Sequence, residues 1–111
     1  MTALLDQHCR PPAKGTTPLA ADEVQALLAQ VPGWTLTDGG RAMEREFRFA
    51  NYYETMAFVN AVAWIAHRED HHPDLSVHYN RCRVRFSTHA VGGLWLNDFI
   101  CAARVSALLG E

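Results

Sequence analysis

Apolar residues along the chain follow two periods, and the alternation between them outlines the fold. Val24, Leu27, Leu28 and Val31 fall at i, i+3, i+4 and i+7, the spacing of one face of a helix, and predict a helix over residues 20–30. Glu23 suits the start of that helix, although Ala20 has no capping oxygen, and Pro32-Gly33 stops it. Trp34 to Thr37 reads as a short strand, Asp38-Gly39-Gly40 as a tight turn, and Ala42 to Phe49 as a returning strand. In that strand Met43, Phe47 and Phe49 share one face and Glu44, Glu46 and Arg48 the other; Arg45 breaks the alternation.

Asn51 with Glu54 three residues on forms a capping-box pattern, and the helix it opens runs from Tyr52 to about Asp70, ending near His71 because Pro73 disfavours helix at His72. The middle of this helix, Met56 to Ile65, is apolar almost all round, which predicts burial on more than one side, in the centre of the monomer or in a subunit interface. Leu75, Val77 and Tyr79 then alternate with Ser76, His78 and Asn80. Cys82, Val84 and Phe86 alternate with Arg81, Arg83 and Arg85, giving a second hairpin. After Gly92-Gly93, Leu94 to Leu109 reads as a last helix closed by Gly110. Residues 1–18 carry Pro11, Pro12, Gly15 and Pro18 with little periodicity and read as an irregular arm ahead of one domain over 19–111. The order helix, hairpin, helix, hairpin, helix predicts an α+β fold: one four-stranded antiparallel sheet with three helices on one face. The other sheet face, or its rim, is the expected place for a site.

Composition narrows the class. With 111 residues, 49% hydrophobic and 20% charged, a single globular domain is expected. A net charge of −2 supplies no field for nucleic acid, no apolar run reaches the length of a membrane span, and MTALLDQHCR does not read as a secretory signal. Cys9, Cys82 and Cys101 are widely spaced and odd in number, so reduced thiols in the cytoplasm are expected rather than a disulfide framework.

Histidine is the unusual residue: five of six fall from His67 to His89. Imidazole changes charge near neutral pH, so such a cluster suits proton transfer. On a helix His67 and His71 would share a face, and the second hairpin can return His89 to the helix end that carries His71 and His72. A metal reading would take His67 and His71 with His72 or His89, but the pattern lacks the HExxH glutamate, and an acid/base reading needs no metal. For His8, His78 and, on the residues alone, His67 an ordinary surface or helix-end role is expected.

The run His67-x3-His71-His72-Pro73-x5-Tyr79-x9-His89-x8-Asp98 resembles the signature of the pterin-4a-carbinolamine dehydratases. Pro32-Gly33-Trp34, Phe47-Arg48-Phe49, Ser87-Thr88-His89 and Gly92-Gly93-Leu94 are similar to the family as well. The resemblance implies the same sheet-and-three-helix fold, homodimers or homotetramers, and loss of water from 4a-hydroxytetrahydropterin, which recycles the cofactor of an aromatic amino acid hydroxylase. It implies no metal and no organic cofactor, pterin being the substrate. Carried across by position, it makes His71, His72 and His89 catalytic and assigns Asp70, His71, His72, Ser87, Thr88, His89 and Ala90 to the pterin pocket. Asp98, and His67 where many members have glutamate, would support the site, with backbone near Ser87 and Thr88 holding the pterin's amide-like edge. Trp95 replaces a smaller residue and is expected to reshape the pocket edge. The same fold serves in animals as a transcription-factor dimerisation partner, so a binding module without turnover, or a role in molybdopterin metabolism, are the alternatives.

Overall fold

The computed structural model of the chain describes residues 3–111. Its regular elements are α1 (Ala21–Leu28), β1 (Thr35–Thr37), β2 (Ala42–Arg48), α2 (Tyr52–Glu69), β3 (Asp74–Val77), β4 (Arg81–Phe86) and α3 (Leu96–Ala107). The four strands form one antiparallel sheet in the order β1-β2-β4-β3, with Met43 opposite Phe86 and Phe47 opposite Cys82 in the central pair. This is the α+β order expected from the sequence periods.

Period-two alternation sorts the two central strands. Met43, Phe47, Cys82, Val84 and Phe86 are buried under the helices. Trp34 packs between Phe47 and Phe86, at centroid distances of 6.0 and 5.8 Å, while Phe58 of α2 lies 4.7 Å from Phe47. Arg45 shares this core side at the rim of the sheet. Its guanidinium lies over Phe47 and forks onto the Glu111 carboxylate at 2.8 and 2.7 Å, which explains the break in alternation. The open sheet face carries the cross-strand ion pair Arg83–Glu44 at 3.1 Å, and Arg85 reaches Asp38 of the β1–β2 turn at 3.5 Å. That face is a charge ladder, so the rim is where a pocket forms.

Two expectations are corrected. In this chain α2 is not central: it buries Thr55, Phe58, Val62 and Glu69 but leaves Tyr53 and Trp64 83% and 59% exposed. The central helix is α3, in which Phe99, Ile100, Cys101, Ala102 and Val105 are all buried. Nor does α2 reach His71. It ends at Glu69, and Asp70 caps it in the left-handed conformation (φ 51°, ψ 42°). His71 therefore leaves the helix and shares no face with His67.

The arm packs along α3. Leu4, in a short 3-10 turn over Leu4–Asp6, enters the core, and Arg104 Nη2 donates to the Gln7 carbonyl at 2.6 Å. Farther along, the Leu19 N–H donates to the Leu94 carbonyl at 2.9 Å. Gly93 makes this close passage possible, since a Cβ there would stand 3.0 Å from Pro18 Cβ.

Candidate active site

Three chain segments and the arm meet at the end of the sheet. The first is the turn after α2. The left-handed Asp70 reverses the chain, and the His71 N–H still donates back to the Ala66 carbonyl at 3.1 Å, so His71 and His72 are fixed directly past the helix end. The second follows β4, where Thr88 and Gly93 bridge across a 3-10 turn at His89–Val91 that closes on Gly92 (φ 73°). This turn presents Ser87, His89 and Ala90 at the rim. The third is the start of α3, carrying Asn97 and Asp98.

These segments enclose a cleft of about 310 Å³, lined by Asp70, His71, His72, Ser87, Thr88, His89 and Ala90. All seven residues expected to meet substrate are thus on one cavity. His67 is not: it is exposed on α2, 6.1 Å from the Trp64 ring. It lines a separate groove beside Val62 and Leu75, which His72 also borders. His8 pairs with Glu69 from an exposed position, and His78 is an exposed neighbour of Ser76.

Asp98 ties the three segments together. It is fully buried, and its Oδ2 accepts from Thr88 Oγ1 at 2.8 Å and from the Trp95 N–H at 3.0 Å. Its Oδ1 lies 2.7 Å from His71 Nε2. With the carboxylate accepting, Nε2 carries the proton and Nδ1 is left free, able to take a proton when the ring is neutral and to give one when it is charged. The ring is further fixed by stacking on Phe86 at 5.8 Å and an interplanar angle of 13°. His72 and His89 are exposed, and their side chains make no hydrogen bond among the described residues.

Thr88 lines the cleft with its backbone hydrogen-bonded within the turn. Its N–H donates to Gly93 O at 2.8 Å, and its carbonyl accepts from Val91 at 3.1 Å. The Thr88 backbone N–H and carbonyl are thus engaged within the turn. Among the described residues no three His, Cys, Asp or Glu side chains are grouped to hold a metal ion.

The sequence reading missed the arm. Cys9, Arg10, Pro11 and Pro12 line the cleft together with Glu69 and Asn97. The Cys9 N–H donates to Glu69 Oε1 at 2.7 Å, and His8 Nδ1 lies 2.9 Å from Glu69 Oε2. Burial pushes the Glu69 carboxyl up, but the Cys9 N–H, His8 and the Arg104 guanidinium outweigh it and hold the group below the usual glutamate range. Asn97 clips Arg10 through both its amide atoms, accepting from the Arg10 N–H at 3.0 Å and donating to its carbonyl at 2.8 Å. Cys9 Sγ sits 3.5 Å from Cys101 Sγ. That contact and burial push the Cys101 thiol above its ordinary range. The available sequence signal was Pro11-Pro12, which fixes an extended backbone.

Comparison with known proteins identifies the family. Residues 17–108 match the family described as Pterin 4 alpha carbinolamine dehydratase. A protein of Stenotrophomonas maltophilia (strain K279a) named "Putative pterin-4-alpha-carbinolamine dehydratase" is 61% identical over 105 residues, covering 95% of this chain and 90% of its own. One of the same name from Xanthomonas campestris pv. campestris (strain 8004) is 60% identical over 104 residues, covering 94% and 88%. The crystal structure of a "transcriptional coactivator/pterin dehydratase" from Brucella melitensis superposes with a TM-score of 0.79 at 30% identity, covering 83% of this chain and 98% of that one. Fold, cleft and relatives converge, and the chain belongs to the pterin-4a-carbinolamine dehydratase family.

Proposed function

We propose that the cleft dehydrates 4a-hydroxytetrahydropterin to quinonoid dihydropterin and water, with His71 and His89 as the acid/base pair and His72 orienting the 4a-hydroxyl. One imidazole gives a proton to the departing hydroxyl, which leaves as water. The other removes a proton from a ring nitrogen, and the C=N bond of the quinonoid product forms as the C–O bond breaks. The observation that carries the reading is the enclosure of three histidines in one small cleft, one of them fixed by a buried carboxylate. Geometry of this kind turns proton transfer into a local event between prepositioned groups.

In this reading the quinonoid product, once a separate reductase has added two electrons and two protons, serves an aromatic amino acid hydroxylase again as tetrahydropterin, in the cytoplasm; the dehydration itself uses no metal or organic cofactor. No helix among the described residues is long and apolar enough to cross a membrane. The face of α2 left uncovered, with Trp64 and Tyr53 exposed, supports a homo-oligomer, to be read from light scattering of the purified protein. The activity itself is tested by adding the protein to carbinolamine generated by a hydroxylase. Faster disappearance of carbinolamine is expected; an unchanged rate would overturn the proposal.

A further inference from the structure

The arm ahead of residue 17 lies outside the matched family region, yet it supplies one wall of the cleft. Its placement is strongly determined. Two side chains buried beneath it hold it: Glu69 Oε1 accepts from the Cys9 N–H while Oε2 meets His8, and Asn97 uses both amide atoms on the Arg10 backbone. Pro11 restricts Arg10 to extended backbone from the other side. The side chain so presented is exposed, and its guanidinium has no partner among the described residues.

Arg10 also stands at a seam. A second groove, of about 620 Å³, shares Arg10, Pro11, Pro12 and Asn97 with the cleft and continues past Trp95 and Leu96. Because the cleft and the groove share these residues, the groove offers a path for the substituent of a pterin ring held by the histidines. Arg10 is the sole Arg or Lys lining either hollow among the described residues. The carboxylates around it are of two kinds: Glu69 is engaged beneath the arm, whereas Asp70 in the cleft and Asp6 in the groove carry charge that would repel an anion. His8, the other basic side chain in the groove, is paired with Glu69, so the guanidinium at the seam is the unpaired cation a negative group on the substituent would meet among the described residues.

Resting on the proposed dehydratase activity, we infer that Arg10 is a specificity-determining residue that selects 4a-hydroxytetrahydropterins whose ring substituent carries a carboxylate or a phosphate. A guanidinium suits both through paired N–H donors. Trp95 and Leu96 pack the apolar portion of the same substituent.

The test compares kcat/KM for carbinolamines made from three tetrahydropterins: one with a short neutral substituent, one with a carboxylate and one with a phosphate. Turnover of the neutral substrate by the wild-type protein reports the dehydratase activity separately from this inference. The wild type is expected to prefer at least one anionic substrate, and the two anionic arms identify which group is read. In R10A the anionic-to-neutral ratio should fall about tenfold, with R10K retaining part of it, since one charged contact of this kind corresponds to about that factor. Raising salt from about 50 to about 500 mM should lower the wild-type ratio in the same direction. No preference in the wild type, an unaltered ratio in R10A, or an equal loss on neutral and anionic substrates would each overturn the assignment. Failure to turn over any of the three would remove the dehydratase reading and this inference with it.

Discussion

His71 Nε2 and Asp98 Oδ1 lie 2.7 Å apart, and the carboxylate that makes this contact is sealed from solvent by α3 and the Thr88 turn. The pair joins two segments 27 residues apart in sequence. Asp98 also accepts from the Trp95 N–H, so one side chain starts α3 and fixes the tautomer of the histidine.

Replacing Asp98 by asparagine tests that coupling. The amide can present an N–H where Nε2–H now donates, which favours the wrong imidazole tautomer. Asp98→Asn should lower kcat for carbinolamine dehydration by about 10²–10⁴, with a smaller change in KM. An equal effect on KM alone would mean that Asp98 acts only in binding.

Phe86 links the core to the site, packing on Trp34 on one side and His71 on the other. Phe86→Leu should cost about 1–3 kcal/mol in denaturant unfolding. It should also lower dehydration at temperatures where the variant stays fully folded. A stability loss without any kinetic effect would show that the stacking does not orient the ring.

His67 lies outside the cleft, four residues before His71 but on the far side of the Asp70 turn. His67→Ala should change kcat/KM by no more than about twofold, the range of an exposed substitution. A large loss would return the residue to the site despite its position.

Glu69 makes arm docking dependent on pH. Its folded carboxyl titrates below the ordinary glutamate value of 4.5, so the ionised form stabilises the fold. That contribution is complete above about pH 4.5 and is lost as pH falls through the lower folded value. The wild type should therefore be more stable than Glu69→Gln at neutral pH, with the difference shrinking on acidification below pH 4.5 in thermal melts. A gap that widened in acid would contradict the sign.

Much of this was legible because local periods carry it. The alternation in β2 and β4 and the 3.6-residue stripes placed every element within a few residues, and the histidine run marked the cleft. What escaped is non-local or depends on backbone exceptions. Asp70 ends α2 in a left-handed conformation that glycine ordinarily supplies, so the pattern ran on toward His71. Apolar runs in α2 and α3 look alike, and only packing decides that Phe99 and Ile100 are central while Trp64 stays exposed. The arm is held by partners 60 and 87 residues away, Glu69 and Asn97, which no window along the chain connects to Cys9 and Arg10.

The most direct measurement is the rate of carbinolamine dehydration for the wild type, His71→Ala, His89→Ala and the double variant, with folding verified by circular dichroism. Each single variant should lose at least about a hundredfold in kcat, and the double variant should fall close to the uncatalysed rate. A double variant that dehydrates carbinolamine as fast as the wild type would contradict histidine acid/base catalysis in this cleft.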